Sequence, residues 1–358
     1  MKHAAIREDL LADAVSRLPD NGLRSMRSAA LRRFLQTGLP GTTHEDWRYT
    51  SLQPAIAIGN AWLGRISDSQ DEPVGIVEDF ARQECEEKIN GSWLRFRNGR
   101  VTGSTGLEDR EPGVEIRALS SANGNSTSDT ALYMSDALSS FNAALIADAV
   151  RVRVADDVNV ARPLGLLLAD EATDNATMSA CRILIDVGRN ASVDIVESHV
   201  SLTSSASYSN LVIELNLAPN ARVNFVRLQE SGEAAISTGQ IVARIREGAV
   251  LTYSSLDTGG SLIRNDVTAL IESPGAEFFA SGLYLATGTQ HIDNHVRVDH
   301  KVGPARSQTE FRGILHGRSR CVFNSKAIVH KGADGTDAQQ SNHNLLLSDH
   351  AEIDTKPE

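Results

Sequence analysis

Gly188-Arg189-Asn190-Ala191-Ser192-Val193-Asp194-Ile195 sets the fold. It begins with a turn, continues with a small residue, and places apolar side chains two and four positions on. A turn running into an alternating strand produces this order, because successive strand side chains point to opposite faces. The order returns in Pro219-Asn220-Ala221-Arg222-Val223-Asn224-Phe225, in Glu247-Gly248-Ala249-Val250-Leu251-Thr252-Tyr253 and in Pro274-Gly275-Ala276-Glu277-Phe278-Phe279. Later echoes are Arg318-Ser319-Arg320-Cys321-Val322-Phe323 and Asp349-His350-Ala351-Glu352-Ile353-Asp354. The small residues at 191, 221, 249, 276, 319 and 351 are 30, 28, 27, 43 and 32 apart. A period near 30 with one insertion marks a solenoid. No unit of that size buries its own apolar face, but stacked units share a core.

The strand ahead of each turn alternates too. Ile183/Ile185/Val187, Leu211/Ile213/Leu215, Ile241/Ala243/Ile245 and Val267/Ala269/Ile271 are interleaved with residues such as Asp186, Glu214, Arg244 and Glu272. Each repeat reads as strand, tight turn, strand and longer return. A crossover helix does not fit every return: Ser201 to Ser209 is nearly all Ser, Thr and small residues. That excludes a doubly wound sheet and leaves a parallel β-helix or a β-sandwich. The regular period favours the β-helix.

Upstream the texture differs. Ile6, Leu10, Leu11, Ala14 and Leu18 recur at helical spacing and stop at Pro19-Asp20-Asn21-Gly22. A second amphipathic stretch runs from Leu23 to Leu39 and closes at Pro40-Gly41. Trp93-Leu94-Arg95-Phe96 before Asn98-Gly99 predicts a strand entering a tight turn. Ser120 to Thr130 reads as a loop, and Ala131 to Ala147 as helical. The expected division is an N-terminal helical and mixed domain over 1–148 and a β-helix core over 149–358.

The chain has 358 residues, 41% hydrophobic and 23% charged, as a globular protein does. Its formal net charge of −11 repels phosphate backbones, so nucleic acid is not an expected partner. Arg24, Arg27, Arg32 and Arg33 form the one basic cluster, read as the solvated face of a helix. Cys85, Cys181 and Cys321 are odd in number and scattered, without a CxxC pair, which points to a reducing cytoplasm. No run approaches the roughly 18 apolar residues of a membrane span, so no membrane partner is expected.

Walker A, GxGxxG, GxSxG and HExxH patterns are absent, which gives no nucleotide site and no familiar hydrolase centre. Gly332 to Asp337 faintly echoes a calcium-binding β-roll repeat, but it occurs once and reads as a polar turn. Seven of ten histidines, His291, His295, His300, His316, His330, His343 and His350, fall near Cys321. Imidazole and thiolate are ligands for zinc and iron–sulfur centres. His316 with His350, and Cys321 with Ile353, are spaced to stack on adjacent coils. With no HxH or CxxH spacing, scattered surface histidines are the expectation.

These residues also carry a resemblance. Glu45-Asp46-Trp47-Arg48-Tyr49-Thr50 resembles the N-terminal motif of SufD-type members of the SufB/SufD family. Arg264-Asn265-Asp266, Gly282-Leu283-Tyr284, His291-Ile292-Asp293-Asn294 and Val298-Asp299-His300 continue it in the family's order. The most specific block runs from Thr336-Asp337-Ala338-Gln339-Gln340-Ser341-Asn342 through Asn344-Leu345-Leu346-Leu347-Ser348 to Ala351-Glu352-Ile353-Asp354-Thr355-Lys356-Pro357-Glu358. The resemblance implies a mainly β protein: a right-handed parallel β-helix with an N-terminal helical (α/β) domain. It implies a non-catalytic scaffold subunit of a SufBCD complex, assembling nascent iron–sulfur clusters beside a SufB-like subunit and a SufC-like ATPase. In the family, the segment matching Lys356-Pro357-Glu358 continues into a strand, a Cys-Ser-His-Gly-type motif and a helical domain. The expectation is a chain that is C-terminally truncated and lacks them.

The last coil's exposed end is the expected interface, with His350, Asp354, Lys356 and Pro357 touching a SufB-like sister or a second copy of this chain. No cofactor is expected to be held firmly, and a cluster would pass transiently at that interface. A β-helix polysaccharide lyase or hydrolase is the alternative. The aromatic content of 5% is low for the stacking groove such an enzyme uses.

Overall fold

A computed structural model describes residues 5–65, 88–105, 112–119, 133–147, 149–171 and 176–358. Its repeating corners arise from single residues. The residue before the marker alanines 191, 221, 249 and 276 has positive φ: Asn190 54°, Asn220 61°, Gly248 62° and Gly275 73°. Glycine and asparagine tolerate that region best. The asparagines also stack, Asn220 Nδ2 donating to Asn190 Oδ1 at 3.1 Å and Asn190 Nδ2 to Asp157 Oδ1 at 2.8 Å.

Two nine-stranded sheets result. One holds β1 (Ser92–Arg97), β2 (Arg100–Thr105), β5 (Leu164–Asp170), β7 (Ser192–Ser201), β9 (Arg222–Glu230), β11 (Val250–Thr258), β13 (Glu277–Ala286), β15 (Arg306–Leu315) and β17 (Asp337–Leu346). The second holds β3 (Val114–Ala118), β4 (Val150–Val154), β6 (Thr177–Val187), β8 (Ser207–Leu217), β10 (Ala235–Ile245), β12 (Leu262–Ile271), β14 (His291–His300), β16 (Arg320–Val329) and β18 (Glu352–Pro357). From β5 onward, neighbours within each sheet are parallel and successive strands alternate between sheets. β5–β18 thus make seven coils of a parallel β-solenoid.

The insertion expected between 276 and 319 does not exist. Ala276 is followed one coil later by Ala305, which is 29 residues on. Arg306 N donates to Ala276 O and Asp337 N to Ala305 O, as Glu277 N does to Ala249 O. Ser319 and Ala351 sit at the opposite corner, where Arg320 N donates to Gln290 O and Glu352 N to Ser319 O. Both corners present a turn and then a strand, so a one-dimensional reading confuses them. The returns also prove short, with three to six residues between an odd strand and the next even one from β5 on.

The sandwiched faces form one core that includes Ile183, Ile213, Phe225, Leu251, Ile263 and Phe278. Each such side chain contributes about 1.5–3 kcal/mol by leaving water. Glycines admit the larger rings. A Cβ on Gly282 would lie 2.1 Å from Phe311 Cε1, and one on Gly313 2.1 Å from Tyr284 Cε2. Gly282→Ala is therefore expected to destabilise by about 1–3 kcal/mol through overpacking. Urea titration checks this; an unchanged midpoint would show that Phe311 has room to move.

The outer face of the second sheet is covered by helices. These are α1 (Glu8–Arg17), α2 (Arg24–Thr37), α3 (Gln53–Arg65) and α4 (Ala137–Leu145). Leu11, Phe34, Ile56, Leu63 and Phe141 pack with Met178, Tyr208, Ile236 and Leu262, which occupy one register column of β6, β8, β10 and β12. α4 starts at a capping box of Asp136 and Ser139. Its Asn142 donates to Cys181 O and Asn210 O, at 2.9 and 2.8 Å. α3 is not foreseen from sequence, though Ala55, Ile56, Gly59 and Leu63 have helical spacing.

Arg27 departs from the expected basic face. It is buried, its guanidinium donating to Ile146 O at 2.8 Å and Pro19 O at 2.7 Å. The sheets also start ahead of residue 149, since β1 pairs in parallel with β5 and β3 pairs with β4. Asn98 and Gly99 make the foreseen β1–β2 turn, with φ of 48° and 75°. Cys85 and the stretch 120–130 lie outside the described residues. Among those described, no helix is long and apolar enough to cross a membrane.

Candidate functional site

On the last coils the covering changes from helices to a strap. The column Met178–Tyr208–Ile236–Leu262 continues as His291, Arg320 and Glu352, so the outer face turns from apolar to charged. Glu45–Thr50 lies across it, starting with a 3-10 turn at Glu45–Trp47. Arg264 is the keystone. Its guanidinium carbon sits 3.9 Å from the centroid of the Trp47 ring. Nη1 donates to Asp46 O and Asp293 Oδ2, both at 2.7 Å, while Nε and Nη2 fork onto Asp266 at 3.0 and 2.9 Å. A planar fork with a flat aromatic-facing surface is what arginine offers and lysine does not.

Asp293 is buried beneath the strap. Thr50 Oγ1 donates to it and meets His291 Nε2 at 2.8 Å; His295 Nε2 stands 2.9 Å from Asp293 Oδ1. Burial alone would raise the Asp293 carboxyl, but Arg264, His295 and Thr50 outweigh it and hold the group well below the usual carboxylate range. Burial lowers His291, against the opposing charge of Asp293.

The expected interface residues do not form one patch. Asp354 and Lys356 lie on the outer face of β18 and engage the strap region. Arg320 Nη2 donates to Asp354 Oδ2 at 2.8 Å, and its guanidinium stands 5.4 Å from the Tyr49 ring centroid. Lys356 Nζ donates to Glu45 Oε1 and pairs with Glu358, raising the ammonium and holding the Glu358 carboxyl down at about 2. Pro357 pairs in register with Ser325 on the opposite parity, and His350 is exposed at the corner before β18.

The histidines are dispersed. His300 is buried against Ser307 Oγ at 2.9 Å, and His330 reaches Asp299 Oδ1 at 3.1 Å. His343 lies on β17 and His316 in an exposed corner. Cys321 does pair with Ile353. His316 does not stack on His350: Leu347 N donates to Leu315 O as His316 N does to Ala286 O, so Leu347 is its counterpart. Among the described residues no three His, Cys, Asp or Glu side chains are grouped to hold a metal.

Cys181 and Cys321 are both buried, and burial raises both thiols, Cys321 to about 12. Neither is expected to react with an aromatic disulfide reagent in the native state, and both should react in denaturant. Peptide mapping by mass spectrometry checks this; native labelling of either would contradict the closed core.

The sequence reading missed Arg264 as keystone. Arg264 was visible only within the Arg264-Asn265-Asp266 block, which does not say what it grips. One of its acceptors, the Asp46 carbonyl, lies 218 residues away.

Fold and site together define a two-sheet parallel β-solenoid protein whose flank is braced by an N-terminal strap. The chain belongs to the family described as SUF system FeS cluster assembly, SufBD core domain, whose model matches residues 169–358. It is 24% identical over 336 residues to the iron–sulfur cluster assembly protein SufD of Escherichia coli, covering 92% of this chain and 75% of that protein. It is 28% identical over 367 residues to an iron–sulfur cluster assembly SufBD family protein of Synechocystis, covering 96% and 78%. A SufD of Bacillus subtilis is 21% identical over 349 residues, covering 94% and 78%. The SufD-type assignment and a role in iron–sulfur cluster assembly follow, and the polysaccharide-cleaving alternative is not favoured.

Proposed function

We propose that this chain is a non-catalytic scaffold subunit in the cytoplasm, pairing with a SufB-like sister and working with a SufC-like ATPase. The family match over residues 169–358 carries this reading. Leu345 and Leu346 on β17, Leu347 just after it and Val329 on β16 support it, being 44–55% exposed. Exposed apolar surface of this kind suits a protein partner. His350, Asp354, Lys356 and Pro357 would lie at or beside the contact. A nascent cluster would be cargo held transiently there, with no cofactor held firmly by this chain.

Co-expression with the SufB-like and SufC-like proteins of the same organism, followed by size-exclusion chromatography, tests the reading. A stoichiometric complex is expected, and separate elution would overturn it. Leu346→Asp should weaken association at least about tenfold, since one buried leucine is worth about 1.5–3 kcal/mol. Titration of the variant against the partner checks this; unchanged affinity would remove the β17 end from the interface.

A further inference from the structure

Halfway along the solenoid, the interior beside the odd-to-even corner stops being oily. Glu197, Arg227 and Ser255 share one inward register column of β7, β9 and β11, and His199, Gln229 and Asp257 share the next. All six are buried, with Glu197, Arg227, Gln229 and Asp257 at 0% exposure. From the facing sheet, Asn265 Nδ2 donates to Asp257 Oδ1 at 3.0 Å and Asn294 Nδ2 to Asp257 Oδ2 at 3.2 Å. Gly239 gives Arg227 its place, since a Cβ there would lie 2.5 Å from Arg227 Nη1.

The cluster is incompletely paired from within. Arg227 Nε stands 3.5 Å from Glu197 Oε1, a charge pairing too long for a good hydrogen bond. Glu197 Oε1 meets His199 Nε2, and the Tyr253 hydroxyl hydrogen-bonds with Arg227 and Ser255. Glu197 Oε2, Arg227 Nε and Nη2, Gln229 Oε1 and Nε2 and Asn265 Oδ1 have no protein partner. Buried donors and acceptors on this scale need partners, and interior water is what folded proteins use. The mixture selects the ligand. An anion near Arg227 Nη2 would meet Glu197 Oε2, and a cation near Glu197 would meet Arg227. Water can accept from the one and donate to the other.

We propose that the solenoid interior holds a built hydration site, in which Glu197, Arg227, Gln229, Ser255 and Asn265 bind a short file of ordered waters. The waters complete the interior where four coils meet in charged and amide groups. Their exchange should be slow, because the lining residues are buried, Glu197, Arg227 and Gln229 completely.

The test is a crystal structure of the full chain at better than about 2 Å, with oxygen-17 relaxation dispersion on the same protein in solution. At least two ordered waters within hydrogen-bond distance of these side chains are expected, with long-lived waters in the dispersion profile. Gln229→Leu should remove at least one from both measurements. A dry interior with Arg227 and Glu197 directly forked together would overturn the proposal. So would density for a bound ion, or a dispersion profile without long-lived water. The wild-type measurements decide even if the variant fails to fold.

Discussion

Arg264→Ala is expected to lower the unfolding free energy by about 3–5 kcal/mol, the cost of removing one partner from a buried ion pair. Asp293 is 1% exposed and would lose its main counter-charge. Asp266 would lose its fork, and Trp47 the cation over its ring. Lysine should not rescue it, because one ammonium cannot serve two carboxylates, the Asp46 carbonyl and a ring face together. The effect should depend on pH. Asp293 is held below the usual carboxylate range in the folded protein. The stability it contributes is present above the unfolded value of about 3.9 and is lost as pH falls through the folded value. The gap between wild type and Arg264→Ala should therefore narrow below about pH 4. Denaturant titrations at pH 7, 5 and 3 check both points. A gap that stays constant with pH would show that Asp293 is not the group involved. Trypsin digestion should find Arg48 cleaved faster in the variant if the strap comes loose.

Arg227→Met is the second large effect expected, again about 3–5 kcal/mol, because Glu197 would remain buried without its charge partner. Burial raises the Glu197 carboxyl, yet Arg227 and His199 together leave it below its ordinary range. Without Arg227 that balance reverses. The double variant Glu197→Gln with Arg227→Met should recover more than half of the loss, since no uncompensated charge remains. Urea denaturation of both single variants and the double gives the coupling. Additive losses would mean that Glu197 and Arg227 do not sense each other.

The two sites differ in how far the sequence revealed them. The strap motif Glu45–Thr50 and the His291–Asp293 stretch are both visible as blocks, but nothing in either says that they touch. Thr50 and Asp293 are 243 residues apart and meet only because β14 stacks beside β12 and exposes its outer face to the strap. Asp354 and Lys356 were singled out from sequence as interface residues of the last coil. Their engagement with Arg320 and Glu45 was not. The interior charges were hidden for a different reason. Glu197, Arg227 and Asp257 occur in alternating strands where a polar residue reads as solvent-facing, and only the inward parity of Val193, Ile195 and Glu197 reveals them.

The solenoid was determined by sequence alone, because its corners and alternating strands are local features that recur every turn, and each repeat states the same instruction again. Which corner a marker occupied, which helix covered which face, and which charge met which was left to the tertiary structure. Those relations join residues remote along the chain, and stacking at about 4.8 Å per coil brings them together only once all coils are in place.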